Sequence, residues 1–176
     1  MDSLKLNVGC GIHKKEGYTR IDKEASVQPD YVLNIEKQRL PFEDNSVDEI
    51  LAENILEHLR NIDFFMEEAW RVLKPNGLLE IIVPHYHHHQ AYSDPDHIRY
   101  FTEHTFSYWC RKTIGSDGRL VIRGKMDFDI KLIQNLIDQE TVERLGGMNN
   151  VIEMAMSHNG VFIAIRAKLR AVKPLR

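Results

Sequence analysis

An apolar run from Leu4 to Val8 stops abruptly at Gly9-Cys10-Gly11. A buried strand ending on two near-adjacent glycines can turn sharply. It also lets another group approach its backbone with no Cβ in the way. Further runs of strand character follow at Tyr18 to Ile21, Tyr31 to Ile35, Val47 to Ala52 and Leu78 to Val83. Before the last of these, Ile62, Phe65, Met66, Ala69, Val72 and Leu73 recur at helical spacing. Asn61 or Asp63 is placed to cap that helix, and Lys74-Pro75-Asn76-Gly77 to stop it. Strands interleaved with helices point to an α/β domain around a mostly parallel sheet.

The rest of the chain is less regular. Leu40 to Ser46 reads as a turn, and Thr102 to Lys112 as a helix. Phe128 to Leu136 and Val161 to Leu169 read as strands, separated by a polar helical piece at Gln139 to Leu145. Gly115-Ser116-Asp117-Gly118 reads as a turn, and Leu145 to Asn150 as a flexible loop that closes over a site or packs between protomers. The 176 residues suit one domain, 1–176. Only six residues separate Gly11 from Tyr18, so any helix there is a stub. That argues against a standard dinucleotide site, which sets a full helix on the pyrophosphate.

Bulk properties exclude several classes. A net charge of -3 gives no global pull toward nucleic acid or anionic membranes. Cys10 and Cys110 make no disulfide framework and read as thiols in a reducing compartment. The first residues lack a signal-peptide core, and no apolar run approaches the ~18 residues of a membrane span. The expected location is the cytoplasm.

Open α/β sheets bind ligands beyond the carboxyl ends of their strands, so residues just after each strand come first. These are Gly9, Cys10 and Gly11, then Asp22, then Asn34 and Ile35, then Glu53, Asn54, Glu57 and His58. Asp22 can accept from both hydroxyls of a ribose. Asn34 and Ile35 suit an adenine edge and face.

Four ordered blocks carry a resemblance: Leu6 to Gly11, Leu40 to Asp48, Ile55-Leu56-Glu57-His58-Leu59, and Trp70 to Gly77. They resemble class I S-adenosylmethionine-dependent methyltransferases, the type 11 group in particular, over roughly residues 4 to 110. The resemblance implies a Rossmann-like, doubly wound, mostly parallel seven-stranded sheet with a reversed last hairpin. It implies S-adenosylmethionine as cofactor. Gly9 and Gly11 would border its methionine part, Asp22 the ribose, Asn34 and Ile35 the adenine, and Glu53 and Asn54 the sulfonium end; Cys10 between the glycines is a small residue that fits the cofactor turn, and His58 stands either near the methyl group or as a structural hydrogen-bonding residue. Residues 4–110 would then be the cofactor core and 111–160 the substrate side. Asn7 stands where the family usually carries an acid, which implies a weaker contact to the cofactor's amino group.

Pro84 is followed by His85-Tyr86-His87-His88-His89, and His97 comes soon after. Alternation along an extended segment would put His85, His87 and His89 on one side, where three imidazoles could hold a divalent metal. One of His85, His87, His88 and His97 could instead act as general base or bind substrate. A solvated polar loop is the bland alternative. Tyr86, Tyr92, Tyr100 and Trp109 could wall the pocket, and Arg99 could meet an anionic substrate.

The expected function is methyl transfer to an O or N atom of a small molecule. Two readings stand beside it. One is a catalytically silent cofactor- or metal-binding module. The other is a nucleic-acid or protein methyltransferase, whose support is the basic run Arg166, Lys168, Arg170, Lys173 and Arg176. Nucleic acid and membrane are not expected partners. A homo-oligomer stays open.

Overall fold

A computed structural model describes residues 3–110, 113–114, 120–121, 125–157 and 160–175. Strand β1 (Lys5–Val8) pairs in parallel with β2 (Thr19–Asp22) on one side and β4 (Val47–Glu53) on the other. β3 (Tyr31–Val32) lies outside β2. Helix α1 (Ile62–Val72) carries the chain from β4 to β5 (Leu73–Pro84), which is parallel to β4. β9 (Ala164–Ala171) then runs antiparallel between β5 and β8 (Phe128–Leu136). The sheet order is β3-β2-β1-β4-β5-β9-β8, the expected seven strands with a reversed last hairpin. Two short strands, β6 (Thr113–Ile114) and β7 (Leu120–Val121), pair with each other alone. Among the described residues no helix is long and apolar enough to cross a membrane.

The helical period of α1 is real. Its buried face holds Ile62, Phe65, Met66, Ala69 and Val72, in one cluster with Leu6, Ile50, Leu79 and Ile81 of the sheet. Each such side chain contributes roughly 1.5–3 kcal/mol by leaving water. Asn61 caps the helix, its side chain accepting the Phe64 N–H at 3.4 Å. Asp63 sits in the first turn.

The expected strands and turns need several corrections. β3 ends at Val32 rather than Ile35. The Asn34 side chain accepts the Glu36 N–H, and Gln38 accepts the Asn34 N–H, so the backbone turns there instead. No helix lies between Gly11 and Tyr18, only turns. Lys74 to Gly77 does end α1, but the chain stays in β5. The ladder pairs Val47 with Leu73 and Glu49 with Leu78, so these four residues bulge outward opposite Asp48. Asn76 takes a left-handed φ of 67° and Lys74 Nζ reaches both Asp48 oxygens at 2.8 Å. Thr102 to Lys112 is a 3-10 helix over Glu103–Trp109. The last strand begins at Ala164, not Val161. The helical piece α3 (Gln139–Arg144) is where its polarity placed it. Gly146 and Gly147 do turn, but α4 (Met148–Ser157) starts at once, so Leu145 to Asn150 is not one continuous loop. The expected turn at Gly115 to Gly118 and the expected basic residue Arg176 lie outside the described residues.

The other basic residues near the end of the chain are already engaged. Arg166 and Lys168 both pair with Glu80, at 3.2 Å each, and Arg170 with Asp129. Lys173 donates to the carbonyl oxygens of Arg71 and Leu73, and its ammonium lies 4.6 Å from the centre of the Trp70 ring. Four of the five residues of that basic run thus have partners within the domain.

Candidate active site

The carboxyl ends of β1, β2 and β4 share one edge of the sheet, because those strands are parallel. A cleft opens at this edge. Gly9, Asp22, Lys23, Leu33, Asn34 and Ile35 line one part of it, and Ile55, His58 and Leu59 another. Five of the residues expected to bind cofactor therefore meet there: Gly9, Asp22, Asn34, Ile35 and His58.

Each is held for a local reason. Gly9 has a φ of +64°, and a Cβ on it would meet Ile55 side-chain atoms at 2.6 to 2.9 Å. Asp22 accepts the Gly11 N–H at 2.8 Å through Oδ2 and the Glu24 N–H at 2.9 Å through Oδ1. Each oxygen keeps a second lone pair. The buried Arg20 guanidinium braces the same turn by donating to the carbonyls of Gly11, Val27 and Gln28. Asn34 spends its side-chain oxygen on Glu36, so its NH₂ is the group left to offer.

The remaining expected cofactor residues stand around the cleft without lining it. Asn7 is buried within β1, beside Arg20 and Leu51 in the ladder. Cys10 is 4% exposed, and burial pushes its thiol up against the opposing pull of Arg20. That suits a small turn-filling residue and not a nucleophile. Glu53 and Asn54 are exposed at the end of β4, Asn54 with a φ of 50°. The sequence reasoning missed Leu33, Ile55, Leu59 and Glu36. Ile55 was within reach, since it opens the Ile55 to Leu59 block. Glu36 closes the cleft's rim by accepting the N–H groups of Arg60 and Asn61.

The histidine segment does not alternate. His85 forms a bridge with Phe101, and the chain then turns into the short helix α2 (Gln90–Ser93). His85, His87 and His89 consequently do not converge as a metal trio among the described residues. His85 is 3% exposed. Its Nδ1 accepts the His87 N–H at 3.2 Å, and its Nε2 lies 3.6 Å from Glu103. Burial holds its pKa below the ordinary value, against the pull of Glu103. His88 is also held low by burial, and its Nδ1 accepts the Gln90 N–H at 3.4 Å. The His87 ring lies against Tyr86, with centroids 3.8 Å apart, and forms no hydrogen bond with any of the described residues. His85, Tyr86, His87, Glu103 and Phe162 line an open cavity.

His97 lies elsewhere, against Glu57 and His58. Its Nε2 is 4.0 Å from Glu57 Oε1, and its ring meets that of His58 at 4.6 Å. Glu57 is 1% exposed, and burial pushes its carboxyl up to about 7. Arg99 is anchored to the backbone beside this cluster. It donates to the carbonyls of Leu59 and Arg60 at 2.6 and 2.7 Å. Tyr92 and Tyr100 stack at 4.7 Å, while Tyr100 and Trp109 border a separate cavity with Arg99.

Residues 6–81 match the family model described as a methyltransferase domain. The chain is similar over its whole length to several solved structures. One is a chain of a complex between a methyltransferase activator and a methyltransferase from Haloferax volcanii. It has 13% identity and a TM-score of 0.66, with 99% of this chain and 84% of that one covered. A S-adenosylmethionine-dependent methyltransferase from Archaeoglobus fulgidus has 14% identity and a TM-score of 0.61, covering 96% and 86%. Another from Methanosarcina mazei has 16% identity and a TM-score of 0.59, covering 98% and 94%. At these identities the likeness shows the fold. No curated protein matches the chain in sequence.

Proposed function

We propose that this chain is a S-adenosylmethionine-dependent methyltransferase, a reading supported by the methyltransferase-domain match at residues 6–81, and that it methylates an O or N atom of a small molecule. The observation that carries the reading is the cleft at the strand ends, where Gly9, Asp22, Asn34, Ile35 and His58 meet. Its chemistry fits the cofactor. The carboxylate of Asp22 has two free lone pairs for ribose hydroxyls, and Leu33, Ile35, Ile55 and Leu59 give apolar walls for a purine. The Asn34 NH₂ can donate to a purine ring nitrogen. Gly9, Cys10 and Gly11 border the methionine part, with Asn7 behind them and with Glu53 and Asn54 across from them.

When bound, the cofactor supplies an already activated methyl group. The protein's task is then to hold the acceptor in line and exclude water, which can contribute ~7–11 kcal/mol. The cavity lined by His85, His87, Glu103 and Phe162 follows the end of β5, on the same edge of the sheet, which is where an acceptor would meet the cofactor's methyl group. Where the acceptor carries a proton that must leave, His87 is the best-placed base of His85, His87, His88 and His97. His85 and His88 each use Nδ1 to accept a backbone N–H, which leaves the proton on Nε2, and His97 stands beside Glu57 rather than at this cavity. The pairing of Arg166, Lys168 and Arg170 with acids favours a small acceptor over nucleic acid.

Calorimetry with S-adenosylmethionine tests the cofactor, and isotopic methyl transfer to pooled small molecules, RNA and protein tests the acceptor. Binding and label in the small-molecule pool are expected, with His87→Ala lowering turnover more than His88→Ala. Label only in RNA or protein would overturn the acceptor class. Absence of binding would support the silent module.

A further inference from the structure

Glu57 is a carboxylate buried with nothing to hold it. It is 1% exposed, and neither oxygen has a hydrogen-bond partner among the described residues. Leaving such a group unsatisfied costs on the order of 1–3 kcal/mol, and more when it is charged. What it faces is two imidazoles. One donor atom from each of Glu57, His58 and His97 lies within 4.8 Å of the others.

The tautomer of His97 can be read from its surroundings. Nδ1 lies 3.1 Å from the Ala91 carbonyl oxygen. A carbonyl only accepts, so Nδ1 carries the proton and Nε2 presents a lone pair. That lone pair points toward Glu57 Oε1 at 4.0 Å and Asp94 Oδ2 at 3.9 Å. Potential ligand atoms of Glu57, His58 and His97 thus face one another at close range. An Nδ1–H anchored on a backbone carbonyl is also the arrangement that orients a metal-binding histidine. The donors come from two segments already tied together. Ile98 N–H donates to the Glu57 carbonyl at 3.0 Å, and His58 Nδ1 lies 3.3 Å from the Asp96 carbonyl.

We infer that Glu57, His58 and His97 form a binding site for a divalent cation of the zinc type, with the fourth position left to water. Two imidazoles and a carboxylate are a borderline nitrogen–oxygen set that suits zinc. Zinc bonds of ~2.0–2.2 Å put neighbouring ligand atoms somewhat closer than the present 4.0 Å between His97 and Glu57. Loading therefore draws His97 toward the turn at Leu56–His58. Since His58 also lines the cleft, the cation would stiffen one wall of it. This inference is independent of the proposed acceptor and of cofactor binding.

The test is a titration of the chelator-stripped full chain with Zn²⁺ alone, read against a competing chromophoric chelator and by thermal melting. One equivalent is expected to bind and raise the melting temperature. Glu57→Gln and His97→Gln should each weaken binding at least tenfold, and His89→Ala should leave it unchanged. Co²⁺ bound to the unaltered chain should show the visible bands of a four-coordinate nitrogen–oxygen site, which needs no variant to fold. No binding and no shift in melting would overturn the inference and leave Glu57 and His97 as a proton-sharing pair. Binding untouched by both glutamine variants would overturn it in favour of another site.

Discussion

Asp22 Oδ2 accepts the backbone N–H of Gly11 at 2.8 Å, so the acid after β2 shapes the turn after β1. The two features that the sequence places eleven residues apart act as one unit. Asp22→Asn keeps an oxygen for one backbone amide but gives up the charge and the second acceptor. Affinity for S-adenosylhomocysteine should fall about ten- to a hundredfold by calorimetry, consistent with losing a hydrogen bond to a charged group worth ~1.5–3 kcal/mol. Melting should drop only modestly.

The two glycines of the turn should respond differently. Gly9→Ala meets both a left-handed φ and the Ile55 side chain, and should cost ~2–5 kcal/mol in denaturant unfolding. Gly11 also has a positive φ, but a Cβ there meets nothing within 4 Å. Gly11→Ala should cost only ~1–2 kcal/mol. Ile55→Ala combined with Gly9→Ala should recover part of the first loss.

Glu68 and Arg71 join two of the blocks that stand apart in the sequence. Arg71 Nε and Nη2 each donate to Glu68 at 2.8 Å, and Arg71 also donates to the carbonyls of Leu40 and Phe42. Glu68 accepts the Leu40 N–H at 3.0 Å. Arg71→Leu, which strips the buried Glu68 of its partner, should cost ~3–5 kcal/mol. Arg71→Lys should cost less, keeping charge without the fork.

The same pair sets an acid-side dependence. Burial pushes the Glu68 carboxyl up, but its bonds from Arg71, Leu40 and Arg39 outweigh that and hold it below the usual glutamate range. The folded state then binds fewer protons than the unfolded one. The stabilisation is therefore present above the ordinary glutamate pKa and is lost as pH falls through the folded value. Melting followed against pH should fall less steeply in Glu68→Gln than in the unaltered chain across that range.

Trp70 fastens the far end of the sheet. Its Nε1 donates to the Asp127 and Val172 carbonyls at 3.0 and 3.2 Å. Trp70→Phe should cost ~1–3 kcal/mol while cofactor affinity stays unchanged.

The strands β1, β2 and β4 were legible because each is a short apolar run closed by turn residues. Asp22 and Gly9 were legible because their place follows from where such strands end. What was not legible depends on partners far along the chain. Lys74 to Gly77 has the composition of a stop, yet Val47 and Glu49 keep it within one strand. Asn34 looks like strand sequence, but its side chain turns the backbone onto Glu36. The alternation expected of His85, His87 and His89 needed an extended segment, and the bridge from His85 to Phe101 ends it. Glu57 and His97 stand forty positions apart, and no local pattern announces their meeting.

β9 follows β8 in the chain yet lies between β8 and β5 in the sheet. Until it is synthesised, the emerging chain carries β5 with an unsatisfied edge whose alternate residues, Leu79, Ile81 and Val83, belong in the core. An exposed apolar edge of that kind is a template for pairing with other chains. The sheet is therefore expected to close only once β9 is in place, and truncations before Ala164 should aggregate rather than yield a smaller soluble core.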